Sequence, residues 1–293
     1  MLIAVTGASG LIGSSLVVAL RQDGHEVLRV VRRPPAGAHE KQWDGSHLAP
    51  EALQGVDAVV HLAGAGVGDQ RWSAERKRVI MDSRVQGTAA VAEAVAQACV
   101  PVLLSSSAIG WYGDTGARVT DETGPHGEGF LADVCLAWER ATEPAEASSR
   151  VVHLRTGIVL SAAGGALNKQ LPIFKAGLGA PLGSGRQWLS WISRRDEVAA
   201  IRHLISADVR GPVNLVAPNP VTNKAFTKEL GSVLHRPTSP IGVPGLVLKA
   251  ALGEFAGEVL AGQRLAPKVL QETGFRFAPP DLRSALESSL SVQ

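Results

Sequence analysis

The chain opens with a short apolar run, Leu2-Ile3-Ala4-Val5-Thr6, that passes directly into Gly7-Ala8-Ser9-Gly10-Leu11-Ile12-Gly13. A buried strand feeding a glycine-rich turn that starts a helix is compatible with few architectures. The spacing G-x-x-G-x-x-G is one residue longer in its first gap than the usual dinucleotide fingerprint, but the glycine roles carry over. Gly7 permits the tight turn, Gly10 lets the backbone approach a diphosphate, and Gly13 lets the helix pack close to the strand. With Ser9, Leu11 and Ile12, they place the free N–H groups and partial positive charge of a helix N-terminus where phosphates bind.

The strand–helix rhythm continues. EVLRVVRR (26–33), VDAVVHLAG (56–64), VPVLLSSS (100–107) and VVHLRTGIVL (151–160) read as strands. Residues 11–23, 73–98 and roughly 130–148 read as helices, with Ser73 placed as a cap. Strands that are apolar throughout, alternating with helices, imply a parallel sheet covered on both faces, a doubly wound α/β (Rossmann) fold. This domain is expected over 1–160, with 190–217 joining it through a helix at 195–209 and a strand at 211–217. Residues 161–189 and 218–293 then form a smaller mixed lobe, with a helix at 222–234 capped by Thr222 and breaks at Pro267 and Pro279-Pro280. A cleft between the lobes is the expected ligand site.

Apolar residues at 45% of 293 suffice for a substantial core. Lys plus Arg number 29 against 27 Asp plus Glu, without like-charge blocks, which argues against a nucleic-acid partner. The two cysteines, Cys99 and Cys135, are no disulfide scaffold and fit a reducing compartment. The opening residues lack a basic n-region and no apolar run approaches bilayer length, so a cytoplasmic location without a membrane partner is expected. His, Cys and acidic residues nowhere fall at metal-ligand spacing, so no metal site is expected.

About 20 residues past a glycine-rich loop of this kind, an acid selects NAD and an arginine accommodates the 2′-phosphate of NADP. Here the second strand ends Val30-Val31-Arg32-Arg33, with no acid at its tip. Paired guanidinium hydrogen bonds suit a phosphate, so Arg32 and Arg33 predict NADP(H). Leu62, Ala63 and Gly64, at the end of the third clear strand, are placed on the adenosine side. Arg84, mid-helix, has two readings, a phosphate contact or a solvated side chain, and the sequence does not separate them.

TGASGLIG, HLAGAG and SSSAIGWYGD together resemble the extended short-chain dehydrogenase/reductases of the nucleotide-sugar epimerase superfamily. LADVCLAWE, LRTGIVLS, GSGRQWLSWI, VNLVAPNPVTNKAF, GQRLAPKVL and TGFRF narrow the likeness to its atypical, cell-division-inhibitor-like epimerase-family group. The resemblance implies an NADP(H)-binding Rossmann domain with a small helical C-terminal domain. It also implies that Ser105, Ser106, Ser107 and Thr156 border the nicotinamide side, Thr156 able to bond the carboxamide. Relatives often pair through helices on the sheet's flank, so a homodimer is expected by analogy.

Such reductases pair a Tyr with a Lys one helical turn later, because hydride transfer leaves an alkoxide that must be protonated. The only tyrosine is Tyr112, and the residue four later is Gly116. If Glu139 takes the superfamily's helix glutamate, Leu131 falls at the usual Tyr and Cys135 at the usual Lys, and neither can do that chemistry. Ser106, Ser107 and Tyr112 are then the candidate catalytic groups, with the Tyr112 pKa expected near ~10. Cys135, without a neighbouring base or cation, reads as helix packing, and His61 as a core residue. Gly183-Ser184-Gly185-Arg186-Gln187-Trp188 with Trp191 reads equally as a ligand-closing loop or as a surface loop anchored by its tryptophans. The expected activity is NADP(H)-dependent hydride transfer on a small carbonyl or sugar-type molecule. The alternatives are a nucleotide-sugar epimerase and a non-catalytic NADP(H)-binding or sensing protein.

Overall fold

The computed structural model describes residues 1–278 and 281–291. Its central sheet has seven parallel strands in the order β11-β7-β5-β4-β1-β2-β3. These are β1 (Leu2–Thr6), β2 (Glu26–Val31), β3 (Glu40–Gln42), β4 (Ala58–His61), β5 (Val102–Ala108), β7 (Arg150–Thr156) and β11 (Gly211–Leu215). Order reverses beside β1, and both neighbours run parallel to it, which opens a crevice at the carboxyl ends of β1 and β4. The apolar runs fill both faces: Ile3, Val5, Val60 and Leu104 pack under α1 (Leu11–Gln22) and α6 (Arg194–Ser206), and Ala4, Val59 and Leu103 under α2 (Ala74–Gln97).

Three local readings needed correction. The edge strand β3, Glu-Lys-Gln, is too short and polar to read as a strand, yet it pairs with β2. The expected helix at 130–148 stops after α3 (Phe130–Arg140), where Thr142 Oγ1 donates to the Glu139 carbonyl at 2.7 Å. Pro144 then starts the short α4 (Glu143–Glu146). The fifth apolar run, 151–160, divides at Gly157, where a Cβ would stand 2.7 Å from the Ser190 carbonyl oxygen. Beyond it β8 (Ile158–Leu160) leaves the sheet to pair with β10 (Trp191–Ser193). After this excursion α6 packs on the sheet beside α1, and β11 pairs with β7.

The segments off the sheet form a second region with α5 (Gly165–Lys175), α7 (Asn223–Val233), α8 (Gly245–Leu252), α9 (Phe255–Leu260) and α11 (Leu282–Ser291), while α10 (Lys268–Glu272) packs Leu270 into the core of the sheet. Two short pairings tie it down: β9 (Trp188–Leu189) with β12 (Val221–Thr222), and β6 (Val119–Thr120) with β13 (Arg264–Leu265). Thr115 N donates to Gly262 O at 2.8 Å, Arg264 N to Thr115 Oγ1 at 2.9 Å and Ala266 N to Thr120 O at 2.9 Å, so the C-terminal segment is sewn to the loop after β5. Pro267 directly precedes α10, as expected, whereas Pro279-Pro280 lies outside the described residues. Among the described residues, no helix is long and apolar enough to cross a membrane.

Candidate functional site

The glycine loop lies where β1 hands over to α1. Gly7 has φ +63°, and a Cβ there would approach the Leu62 carbonyl carbon at 2.7 Å. A Cβ on Gly13 would fall 2.2 Å from Gly7 O, so the helix can reach the strand this closely only as glycine. Gly10 differs, because its Cβ would meet Gly7 O at 3.2 Å and nothing else within 4 Å. Its outer face is open. Gly10 is also the cap of α1, with no side-chain hydrogen bond and no acid in the first turn. Three helices do carry a side-chain cap: Ser73 accepts from Arg76 N at 3.1 Å, Ser193 from Asp196 N at 2.9 Å and Thr222 from Ala225 N at 3.3 Å. The bare N-terminus of α1, with Ser9 and Gly10 exposed and Leu11 and Ile12 half-buried, is therefore a cradle that a dinucleotide's diphosphate fits. Gly164 of the second lobe closes its far side, where a Cβ would stand 3.3 Å from Leu11 Cδ1.

The adenosine side is braced by a polar pair beneath it. Thr6 Oγ1 accepts from Leu62 N at 3.1 Å and Ala63 N at 3.3 Å, and lies 2.7 Å from His61 Nδ1. With both backbone donors pointing at it, the hydroxyl gives its hydrogen to Nδ1, so the ring proton resides on Nε2. Burial lowers the His61 pKa to about 4, which keeps the ring neutral, a core residue as the sequence suggested. Gly64 completes this strand end and is exposed.

The arginine pair separates. Arg33 Nη1 and Nη2 donate to Glu40 Oε2 and Oε1 at 2.8 and 2.7 Å, and that fork holds the Glu40 carboxyl down at about 2. Arg33 is thus engaged by β3, the strand the sequence concealed, and the expected two-arginine grip is corrected to one. Arg32 is exposed and forms no ion pair among the described residues.

The expected catalytic hydroxyls are corrected more severely. Tyr112 is 3% exposed; its hydroxyl donates to Asn214 Oδ1 at 2.7 Å and accepts from Arg155 Nη1 at 2.9 Å. Burial pushes the phenol up to about 12, away from the value expected near 10, and protein groups already engage the hydroxyl as donor and as acceptor. Ser107 is buried and donates to Glu139 Oε1 at 2.6 Å. Glu139 in turn receives Arg155 Nε at 2.8 Å and Nη2 at 2.9 Å, while the guanidinium carbon lies 3.9 Å from the Trp111 ring centroid. Ser107, Glu139, Arg155, Tyr112 and Asn214 therefore form one buried network under the ends of β5, β7 and β11. Ser105 is also buried, its hydroxyl sealed inside the sheet without a partner, so its side chain does not border a ligand. Ser106 alone of the three serines is half-buried, with a hydroxyl not tied to the protein among the described residues. Thr156 is half-buried and donates to Glu197 Oε1 at 2.8 Å, which leaves only its lone pairs for a carboxamide N–H.

Leu131 and Cys135, which the resemblance puts in place of the phenol and the ammonium, lie on α3 facing Gly110. Cys135 Sγ lies 3.5 Å from the Ala108 carbonyl, and burial pushes its thiol up to about 12, a packing role. In the second lobe the tryptophans anchor the loop: Trp191 Nε1 donates to Asn219 O at 2.9 Å, and Arg264 stacks 4.0 Å from the Trp188 ring centroid. Sequence reading passed over Glu197. It looks like an ordinary first-turn acid after a serine cap, but it is wholly buried, with Oε2 unpartnered and its carboxyl pushed up to about 8 by desolvation.

A family model described as the NAD dependent epimerase/dehydratase family matches residues 3–216, and one for a domain of unknown function (DUF1731) matches residues 243–289. The chain is 48% identical over 289 residues to the epimerase family protein MT2273 of Mycobacterium tuberculosis, covering 97% of this chain and 96% of that one. It is 41% identical over 302 residues to the SDR39U1 homolog of Arabidopsis thaliana, described as chloroplastic, covering 98% and 86% respectively. The crystal structure of human epimerase family protein SDR39U1 (isoform 2) with NADPH superposes with a TM-score of 0.92 at 32% identity, covering 100% of both chains.

Proposed function

Because this chain belongs to the NAD dependent epimerase/dehydratase family, we propose that it binds NADP(H) along the carboxyl edge of its sheet and exchanges hydride with a small carbonyl or sugar-type molecule in the adjoining cleft. The observation that carries the reading is the open-faced N-terminus of α1, drawn against β1 by Gly7 and Gly13, where a Cβ would clash, with Gly10 open outward between them. The full-length likeness to a human protein crystallised with NADPH supports it.

Gly7, Ser9, Gly10, Leu11, Ile12 and Gly13 hold the diphosphate. Arg32 takes the 2′-phosphate, and Leu62, Ala63 and Gly64 flank the adenosine. Thr156 accepts from the carboxamide. When bound, the reduced nicotinamide supplies a hydride. Ser106 is the hydroxyl left to orient a substrate oxygen, since Ser107 and Tyr112 are committed elsewhere. That commitment also favours a second reading, cofactor binding without turnover. A single-turnover experiment separates them: NADPH-loaded protein is mixed with aldehydes, ketones and quinones while the reduced-nicotinamide absorbance is followed. Oxidation above background supports hydride transfer. Tight NADPH binding with no oxidation supports the second reading, and inversion of a sugar stereocentre without net cofactor change supports an epimerase. Absence of NADPH affinity by calorimetry refutes every one of them.

A further inference from the structure

The proposed function leaves Glu197 without a task. This side chain is 0% exposed in the first turn of α6; Thr156 Oγ1 donates to its Oε1 at 2.8 Å, and Oε2 has no partner among the described residues. Thr156 shares its face of β7 with Leu154, which packs with Val198 and Ile201 of α6. Ser106 pairs with Leu154 in register on β5 and lies on that same face. The carboxyl thus stands behind the strand ends, joined to the cleft by one hydroxyl.

No cation answers it. Desolvation acts on this carboxyl, offset only by the Thr156 bond, and holds its proton up to about 8. The ionisable groups around it are turned elsewhere. On β7, Arg155 is bound to Glu139, His153 Nε2 lies 2.8 Å from Thr142 Oγ1, and Arg150 donates to the Ile205 and Val209 carbonyls. On α6, Asp196 accepts from Ala278 N, Arg202 is held by Asp23, His203 Nε2 lies 3.0 Å from Thr273 Oγ1, and neither Arg194 nor Arg195 is buried. Strands β5, β8, β10 and β11 carry no ionisable side chain, and α1 carries only Arg21, which is exposed.

We propose that Glu197 lets this site distinguish the oxidised from the reduced nicotinamide: neutral beside NADPH, it gives up its proton when NADP+ takes the same place. The inference rests on the NADP(H) reading and on Thr156 meeting the carboxamide. An oxidised nicotinamide ring carries one positive charge and a reduced ring none, so a buried carboxylate one hydroxyl away favours the first. By linkage, NADP+ favours the carboxylate to the same degree. The proton leaves through Thr156, whose hydroxyl can give its own hydrogen outward while taking that of the carboxyl. In binding it goes to the buffer. In hydride transfer it goes to the alkoxide formed when a carbonyl carbon accepts the hydride, so the net charge within the site is unchanged.

The test is calorimetric titration of NADP+ and of NADPH into the full chain, in two buffers of different protonation enthalpy. Glu197→Gln and Glu197→Met are measured alongside wild type. Because the protonated carboxyl must lose its proton to receive NADP+, NADP+ binds better as pH rises and levels off above about 8. A coupling of about tenfold releases about half a proton per NADP+ near pH 7.5, with none from this group per NADPH. The ratio of NADP+ to NADPH dissociation constants should then fall about fivefold between about pH 6.5 and about pH 8.5. The 2′-phosphate is common to both cofactors, so its titration cancels in the ratio. E197Q and E197M should each give a ratio that does not change with pH and equal proton counts for both cofactors, readouts that a purely structural role would not move. Equal proton counts in wild type overturn the proposal. So does a pH-dependent ratio that persists in either folded variant, which would assign the proton to another group. If neither variant folds, the wild-type counts alone decide. Binding of neither cofactor refutes the proposed function and this inference with it, whereas binding of both with equal counts refutes this inference alone.

Discussion

Replacing Glu197 by Gln tests how the interior beneath Thr156 handles charge. Glu197 is wholly buried, accepts one hydrogen bond from Thr156 Oγ1 at 2.8 Å, and has its carboxyl pushed from an ordinary 4.5 to about 8 by desolvation. Below about pH 4.5 the folded and unfolded chains both hold this proton. As pH rises from there to about 8, only the unfolded chain releases it, so stability falls with rising pH. At ~1.4 kcal/mol per pH unit, the interval from 4.5 to about 8 amounts to about 5 kcal/mol, lost in full once the folded state ionises. Gln reproduces the protonated form in shape and never ionises. Wild type and E197Q should therefore melt together at pH 5 and diverge steadily, the variant melting about 10 °C higher at pH 9. The assay is a thermal melt of both proteins across that range, read as the difference so that other titrating groups cancel. Parallel curves would refute the burial argument, and a variant less stable at pH 5 would show that the carboxyl is ionised there and serves the fold.

Arg32→Ala should remove a preference for NADPH over NADH of about tenfold or more in fluorescence titration, while Arg33→Ala, whose side chain serves Glu40, should leave it within about threefold. Gly10→Ala should fold with near-wild-type melting and lose cofactor affinity in calorimetry, whereas Gly13→Ala, with a Cβ 2.2 Å from Gly7 O, should lose both. Tyr112→Phe should cost about 1–3 kcal/mol in urea unfolding by leaving Asn214 and Arg155 short of a partner, with no change in any turnover rate. Arg155→Met, which strands Glu139 in the interior, should cost about 3–5 kcal/mol in the same assay.

Features set by neighbours along the chain were legible before the structure. The apolar strands, the glycine turn and the caps at Ser73 and Thr222 each depend on residues a few positions apart. What escaped depends on pairing across the sheet. Arg33 looked available because Glu40 belongs to a three-residue strand with no apolar pattern. Tyr112 looked like a loop phenol because its partner Asn214 is 102 residues away, on a strand that joins the sheet only after the chain has visited the second lobe. Glu197 follows a serine cap like any helix-starting acid, and its depth is set by the strands it packs beneath. The fold was therefore readable to the level of its layers, and the glycine turn between β1 and α1 to the level of residues. The hydroxyls at the strand ends were not, since a serine's spacing says nothing about which way its hydrogen is given.

The sewn loop after β5 bears on how the protein admits what it binds. Gln263 Nε2 donates to Gly113 O at 2.9 Å and Ser190 Oγ to Gln263 O at 2.8 Å, so the C-terminal segment is held to the loop after β5 and to the turn before β10 at once. A bilobal molecule without such thread can swing shut and reject misfits by failing to close. Here, parting the C-terminal segment from that loop would first have to break these bonds, so the two strips of chain they join shift as one piece.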